Sequence, residues 1–454
     1  MILTSGNAGC KMKWFFLTAR RVWKMILIGL LLWTEMALSA GKYDYIDINN
    51  PLLKKVPIAI PYFKPVTGNI AESEAAQTGS VMLSDMLAFT GYFKILDRGA
   101  FLADAQKADA AMPLFKAWTT VGAELLVTGA VSINNSQIEM DLRLFDTYNE
   151  RQLIGRKYTG NVKDIRMMIR RFCNEIMGLL TGITGLFDSQ IVFISTISAG
   201  KEVFVCDFDG YGPTQITHNN NINLSPAMSS DGKWVAYTSY AKGKPDLFIQ
   251  NISDNRISVA DKKGMAISPA WVPGRFELAA SMSFSGDPEI YLLTGTGKVI
   301  NRLTDSPGID VSPSWSPDGN KMAFVSRRGG TPQIYVQNMN SGHAERLTFH
   351  GNNNTQPEWS PKGDKIIYTA LEKGSGFNVC LIGADGKGYV QLTYAQGDNE
   401  SPSWSPDGSM IAFSSTRDGA SRIYVMTAYG ADQRRLMSMP GQQSEPKWSP
   451  GVKN

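Results

Sequence analysis

Histidine and cysteine are scarce in this chain of 454 residues, which has three His and four Cys. His218, His343 and His350 are too far apart in sequence for a local metal-binding spacing. No two cysteines form a C-x-x-C motif. Cys10 lies near the N-terminus, and the other three have apolar neighbours, which predicts buried and unreactive thiols. The sequence therefore argues against His-based catalysis and against a zinc site.

The chain also lacks the short motifs that carry common enzyme chemistry. It has no Walker loop, no G-x-G-x-x-G after a predicted strand, no G-x-S-x-G elbow and no H-E-x-x-H motif. Asp207-Phe208-Asp209-Gly210 begins like a calcium loop, but the later ligands and the closing Glu are missing, which favours a β-turn. We therefore expect no catalytic residue, no cofactor and no bound metal.

Residues 1–40 are predicted to be a secretory signal peptide that is removed. A basic stretch ending at Lys24 precedes an apolar run, residues 25–33, which is too short for a permanent membrane span, and small residues follow at Ala37 and Ser39. A retained N-terminal anchor is the alternative. Without the leader, the chain has 40 basic and 40 acidic residues. This balance gives no electrostatic case for binding nucleic acid.

The second half of the chain is built from a repeat. A proline followed two residues later by a large apolar residue, Trp in five of six cases, recurs every 43–45 residues. These prolines are Pro226, Pro269, Pro313, Pro357, Pro402 and Pro446. A Ser-Pro-Asp-Gly turn or a variant usually follows, and then two short β-rich runs. A unit of this length with four short strands is typical of a β-propeller blade, and we expect each Trp to pack between neighbouring blades.

The two ends of the repeat are incomplete in complementary ways. The first β-rich run, residues 191–195, has no Pro-x-Trp strand before it, whereas the last repeat, at Pro446, has only its first strand. Pairing these strands in one composite blade closes the ring and removes an exposed edge. The sequence therefore predicts an all-β six-bladed β-propeller at residues 186–454.

Residues 41–185 lack the repeat and are predicted to form an α/β N-terminal domain. Apolar residues at helical spacing mark helices at 75–89 and 162–180. Strands are predicted at 43–48, 57–63, 124–131 and 138–145. The polar face of the second helix carries Arg166, Arg170 and Arg171, for which a solvated surface is favoured over an anion site. A short segment, residues 182–185, is predicted to be a hinge.

Polar segments precede the inner strand of each repeat and should emerge together around one end of the central channel. They lie at residues 219–225, 307–312, 351–356, 397–401 and 441–445. Rigid scaffolds often present binding loops in this way. The residues alone leave two interpretations open, a docking face for a partner and a set of solvated loops.

Several segments outside the repeat resemble the TolB family, the periplasmic β-propeller proteins of the Tol-Pal system of Gram-negative bacteria. Residues 180–187 resemble the family's join between its two domains. Residues 57–63, 93–98 and 122–129 resemble parts of its N-terminal domain. The similarity covers nearly the whole chain after the leader. It implies a non-enzymatic, monomeric adaptor that links the outer-membrane lipoprotein Pal to inner-membrane TolA and supports outer-membrane integrity and cell division. Contact with membranes would be through these partners only.

The same resemblance implies two binding sites. A Pal-binding face at the channel entrance would include Met265, Ser268, Ile309, Asp310, Val311, Asn353, Asn354, Thr355, Asn399 and Glu400. A TolA-binding strand, free or docked, would be formed by Tyr43, Asp44, Tyr45, Ile46, Asp47 and Ile48. The repeat at residues 271–275 departs from the family pattern because it lacks the Asp-Gly turn. The alternative function is that of a secreted propeller with a carbohydrate-binding or peptidase-associated role.

Overall fold

The structure, a computed structural model, describes residues 55–449 apart from positions 108, 198, 261–263, 285, 373, 375 and 395. The predicted signal peptide, residues 1–40, and the predicted TolA-binding strand, residues 43–48, lie outside the described residues.

The first part of the described chain combines helices with a mixed β-sheet. Its elements are β1 (Val56–Ala59), β2 (Lys64–Pro65), α1 (Ile70–Phe89), β3 (Phe93–Ile95), α2 (Ala103–Lys107), α3 (Phe115–Thr120), β4 (Leu125–Asn134), β5 (Gln137–Asp146), β6 (Arg151–Asn161) and α4 (Ile165–Thr181). The strand order is β3-β1-β4-β5-β6. Strand β1 is parallel to both β3 and β4, whereas β4, β5 and β6 form an antiparallel meander. The long helices α1 and α4 pack on each other and on the sheet.

Local chemistry sets the ends of both long helices. Asn69 caps α1, because its side-chain oxygen accepts a hydrogen bond from the Glu72 N–H at 2.8 Å. Gly182 ends α4 with a left-handed backbone at φ 72°, a conformation that glycine adopts without steric cost. The apolar stripe of α4, with Ile169 and Phe172 fully buried, faces the core.

The rest of the described chain forms six four-stranded antiparallel sheets, which confirms the predicted six-bladed β-propeller. Blade 1 comprises β10 (Asn223–Met228), β11 (Trp234–Ser239), β12 (Asp246–Asn251) and β13 (Ile257–Val259). Blade 2 comprises β14 (Met265–Trp271), β15 (Glu277–Ser283), β16 (Glu289–Thr294) and β17 (Val299–Arg302). Blade 3 comprises β18 (Asp310–Trp315), β19 (Lys321–Ser326), β20 (Gln333–Asn338) and β21 (Ala344–Arg346).

The remaining blades include the predicted closure of the ring. Blade 4 comprises β22 (Asn353–Trp359), β23 (Lys365–Glu372), β24 (Gly376–Gly383) and β25 (Val390–Gln391). Blade 5 comprises β26 (Asn399–Trp404), β27 (Met410–Ser415), β28 (Arg422–Thr427) and β29 (Arg434–Arg435). The composite blade has the order β30 (Gln443–Trp448), β7 (Gln190–Ser195), β8 (Glu202–Asp207) and β9 (Thr214–Gln215). The last described strand thus pairs with the first strand of the propeller.

The repeated tryptophans lie between neighbouring blades. The Trp271 indole N–H donates to the Ala227 carbonyl of the preceding blade at 3.0 Å, and Trp315 bonds in the same way to Ala270 at 3.3 Å. Trp359 packs in one hydrophobic cluster with residues of blades 3 and 4. Each large indole therefore buries area that belongs to two blades, as the sequence predicts.

The two parts of the chain share one hydrophobic cluster. Phe208, at the outer end of the composite blade, contacts Phe89 of α1 and Phe187 edge-on, with ring centroids 5.2 Å apart in both pairs. The same cluster extends from α4 into blade 5 and the composite blade. The predicted hinge at residues 182–185 therefore joins two parts that have a common apolar core.

The sequence predicts that the three arginines of α4 are solvated, but two of them form ion pairs and are mostly buried. Arg166 donates to Asp207 at 2.9 Å and to Asp209 at 2.7 Å, and only 16% of its side chain is exposed. Arg170 bonds to Asp188 at 3.2 Å, whereas Arg171 is exposed. The prediction was wrong for the first two because their acidic partners belong to the propeller. The Asp207–Gly210 segment is a β-turn, as predicted, and its carboxylates pair with Arg166.

Candidate functional site at the channel mouth

The connections between successive blades all lie at one end of the propeller, which we call the entrance face. Each of them joins the outer strand of one blade to the inner strand of the next. Because the strands of a blade are antiparallel, the loops between second and third strands lie there too. The inner strands run from this face into the channel.

Every inner strand has the same irregularity. Its pairing register shifts at the residue before the repeated proline, and that residue has a left-handed backbone with φ between 49° and 57°. The six residues are Ser225, Ser268, Ser312, Gln356, Ser401 and Glu445. A bulge followed by proline suits an inner edge, because proline has no N–H to donate to a ladder. The six residues line a cavity of about 110 Å³ in the channel.

A second ring lies one residue nearer the entrance. It is formed by Leu224, Ile267, Val311, Thr355, Glu400 and Ser444, all of them partly exposed. The residues of blades 1 to 3 in this ring are apolar, whereas those of blades 4, 5 and the composite blade are polar. We call this ring the mouth ring.

Three residues of the predicted Pal-binding face are fully buried beneath the mouth. Asp310 accepts a hydrogen bond from Arg328 at 2.7 Å. Asn354 donates to the His350 carbonyl at 2.6 Å, and Asn399 accepts from the Ser415 hydroxyl at 2.8 Å. These side chains hold the entrance loops in place. The other seven predicted residues are partly exposed at the entrance face: Met265, Ser268, Ile309, Val311, Asn353, Thr355 and Glu400.

Large apolar side chains on the entrance face were missed by the sequence analysis. Ile197, Ile222, Phe284, Phe349 and Tyr394 are between 37% and 70% exposed, and all lie in loops of this face. Phe349 and Tyr394 follow the Leu-Thr pair that closes a repeat, a position that marks them in the sequence. Exposed apolar residues grouped on one face are typical of protein-binding surfaces.

The polar half of the mouth is acidic. Burial, together with the nearby carboxylates of Asp398 and Glu445, raises the pKa of Glu400. Burial also raises the pKa of Glu445, against the opposing effects of the hydrogen bond that its Oε2 accepts from the Ser225 N–H at 2.6 Å and of the Lys201 ammonium. Both carboxylates lose hydration, and the charges that act on Glu400 are acidic, so a positive group placed beside Glu400 would stabilise its charged form.

An ion pair lies in the channel below this mouth. The Lys447 ammonium contacts Glu358 Oε2, and Glu358 Oε1 accepts hydrogen bonds from the Ser403 hydroxyl and the Trp404 N–H, both at 3.0 Å. Glu358 and Lys447 border the entrance cavity and also a cavity of about 320 Å³ at the other end of the channel. Five of the repeated tryptophans line that second cavity.

Cys173, Cys206 and Cys380 are buried free thiols, as the sequence predicts. Burial raises the pKa of Cys173 and Cys206. In the part of the chain that the structure describes, no three His, Cys, Asp or Glu side chains are grouped to hold a metal ion. Over the same residues, none of the helices has the length and apolar character needed to span a bilayer.

The fold and the site define a class of protein: a six-bladed propeller, joined to a small α/β domain, that presents one rigid face with a shallow mouth. Comparison with protein families gives two matches. Residues 177–452 match the TolB beta propeller domain, and residues 44–153 match the TolB amino-terminal domain. The chain belongs to the TolB family.

Relatives match over most of the chain. The Tol-Pal system protein TolB of Desulfosudis oleivorans is 56% identical over 430 residues, which are 94% of this chain and 98% of that protein. The TolB homolog of Chlorobium luteolum is 40% identical over 86% of this chain and 90% of its own length. The crystal structure of TolB from Acinetobacter baumannii superposes with a TM-score of 0.76 at 26% identity, covering 87% of this chain and 97% of that one.

Proposed function

We propose that this chain is a non-enzymatic periplasmic adaptor of the Tol-Pal system that binds Pal on its entrance face and TolA through residues 43–48. Family membership supports a place in that system, since the 56% identical relative is a Tol-Pal system protein. The adaptor would link the outer-membrane lipoprotein to the inner-membrane protein and so support envelope integrity and constriction at cell division. The chain would act as a monomer, with residues 41–185 and 186–454 as its two domains.

One observation supports the proposed binding of Pal. Exposed apolar residues are grouped around a mouth that buried hydrogen bonds hold rigid. Phe349 and Tyr394 are more than 60% exposed beside Asn354 and Asn399, which are fully buried. A partner that docks there meets preformed loops, so little ordering of the face is needed on binding.

The described part of the N-terminal domain contacts the other end of the propeller. Its contacts are with turns at the opposite end of blade 5 and the composite blade, as in the ion pair of Lys55 with Asp432 at 2.7 Å and that of Arg166 with Asp209. A partner on the entrance face would therefore meet no part of residues 55–181.

Calorimetric titration of residues 41–454 with the periplasmic domain of Pal from the same bacterium tests this proposal. We expect saturable one-to-one binding. Val311→Trp should abolish it, because the indole would fill the mouth. Val390→Trp is the matched control, since Val390 is 46% exposed on an outer strand away from the mouth. Absence of binding by the folded native chain, or equal binding by Val311→Trp, would refute the assignment.

Deletion of residues 41–50 tests the TolA part. Binding to the periplasmic domain of TolA should be lost, because an extended segment adds to a partner through main-chain hydrogen bonds. The affinity for Pal and the midpoint of thermal unfolding should be the same as those of the undeleted chain. TolA binding that survives the deletion would contradict the proposed role of this segment.

A further inference from the structure

The mouth ring divides the channel entrance into two unlike halves. Leu224, Ile267 and Val311, from three consecutive blades, form an apolar arc. Thr355, Glu400 and Ser444 form the opposite arc, in which Glu400 is the only ionisable residue. A segment that fills the mouth must therefore be apolar on one side and must satisfy a carboxylate on the other.

The depth of the mouth limits what can enter. The cavity under the ring has a volume of about 110 Å³, and Glu358 and Lys447, which form an ion pair, are among the residues that line it. This space is close to that of a single large side chain, so a folded element cannot pass into the channel. The docked segment therefore stays on the entrance face and inserts one side chain.

The charges around Glu400 indicate which charge the inserted side chain should carry. The groups that act on its carboxylate, Asp398 and Glu445, are both acids. Three cations of this region interact with other groups: Arg417 bonds to Asn399 Oδ1 at 2.9 Å, Lys447 pairs with Glu358, and Lys201 lowers the pKa of Glu445 against the effect of burial. A carboxylate that is desolvated among other carboxylates favours a positive partner.

We propose that the docked partner places one lysine or arginine side chain beside Glu400, while apolar residues of the same segment lie against Leu224, Ile267 and Val311. This inference rests on the proposed function, because it names the chemistry by which the entrance face selects its partner. The apolar arc supplies contact area, and the pairing with Glu400 fixes the orientation of the segment across the mouth.

Titrations of Pal into native chain and variants, at low and high ionic strength and with a chelator present, test the inference. The chelator ensures that no divalent cation bridges two carboxylates. Glu400→Gln keeps the shape of the side chain and should weaken binding about tenfold at low ionic strength, with a smaller effect at high ionic strength. Ser444→Ala is the control at the equivalent position of the next blade and should change the affinity by less than about twofold.

The partner side of the pair can be identified by replacing each exposed lysine and arginine of Pal with glutamine in turn. One replacement should weaken binding to the native chain and have little further effect on binding to Glu400→Gln, which is the signature of direct coupling. Additive effects for every replacement, or native affinity of Glu400→Gln, would overturn the inference. If the native chain still binds Pal saturably and Val311→Trp abolishes that binding, the proposed function stands without this inference. If the native chain does not bind Pal, the proposed function and the inference both fail.

Discussion

Trp448 donates its indole N–H to the Ser189 hydroxyl at 2.7 Å, across 259 positions of the sequence. The bond joins the last described strand to the residue just before the first strand of the propeller. Trp448 is 5% exposed and lies in the hydrophobic cluster that blade 5, the composite blade and the N-terminal domain share. This one side chain therefore contributes both to ring closure and to the packing of the N-terminal domain.

Replacing Trp448 with Ala should lower the free energy of unfolding by about 3–5 kcal/mol, because it leaves a large cavity at the closure of the ring. Urea unfolding followed by far-UV circular dichroism gives the value. Trp234→Ala removes a partly exposed indole and should cost about 1 kcal/mol. Equal losses for the two variants would mean that the composite blade does not depend on Trp448.

Arg166→Met should destabilise the contact between the N-terminal domain and the propeller. It leaves Asp209 without its ion-pair partner and Asp207 with only the longer contact to Arg170 at 3.8 Å, in a site that is mostly buried, at a cost of about 2 kcal/mol. Arg256→Met is the control, because Arg256 is 71% exposed in its pair with Asp254 and should contribute less than about 1 kcal/mol. Limited proteolysis at residues 182–189 should become faster in Arg166→Met alone; unchanged cleavage would contradict the prediction.

Glu72→Gln should lower the midpoint of thermal unfolding. It should also make that midpoint depend less on pH. Glu72 is fully buried, and its carboxylate accepts hydrogen bonds from the N–H groups of Ile133 at 2.9 Å and of Thr67 at 2.8 Å. The Ile133 N–H is the largest cause that holds the pKa of Glu72 below its usual value, ahead of burial, which opposes it. Stability from this group is therefore present above its unfolded pKa of about 4.3 and is lost as pH falls through the folded value.

Thermal melts between about pH 5 and pH 3 measure this effect. The midpoint of the native chain should fall more steeply than that of Glu72→Gln. Glu74→Gln, an exposed neighbour on the same helix, should follow the native curve. Parallel curves for the native chain and Glu72→Gln would show that the carboxylate does not stabilise the fold in its charged form.

Lys447→Met should destabilise the propeller more than the double variant Lys447→Met with Glu358→Gln. The single change leaves the Glu358 carboxylate charged in the channel, at a cost of about 1–2 kcal/mol after allowance for the partial exposure of Lys447. The double change removes both charges, while the glutamine amide oxygen can still accept from Ser403 and Trp404. Chemical denaturation compares the three proteins. A double variant less stable than Lys447→Met would contradict this account of the ion pair.

The propeller could be predicted because its information is local and repeated. The spacing of Pro269 and Pro313 gives the blade length, and the unmatched ends near residues 191 and 446 give the composite blade. Strand β6 was missed because its sequence, with Gly155, Gly160 and several polar residues, has no clear alternation. It is a strand because it pairs along its length with β5.

The candidate site was predicted less completely. Asp310, Asn354 and Asn399 occupy polar segments that resemble exposed loops, but each side chain bonds to groups 4 to 21 positions away and is buried. The burial of Arg166 was not predicted for a similar reason, because its partner carboxylates belong to a different part of the chain. Burial of a polar residue depends on partners that a local pattern does not contain.

The order of the composite blade has a consequence for how the protein is made. Strand β7 (Gln190–Ser195) is synthesised well before its inner neighbour β30 (Gln443–Trp448). Until residues 443–448 have been synthesised, the blade that touches the N-terminal domain lacks its innermost strand, so the ring stays open. Such long-range pairing folds slowly and leaves a strand edge available for unwanted association. The β7 edge is therefore open to such association until residues 443–448 pair with it.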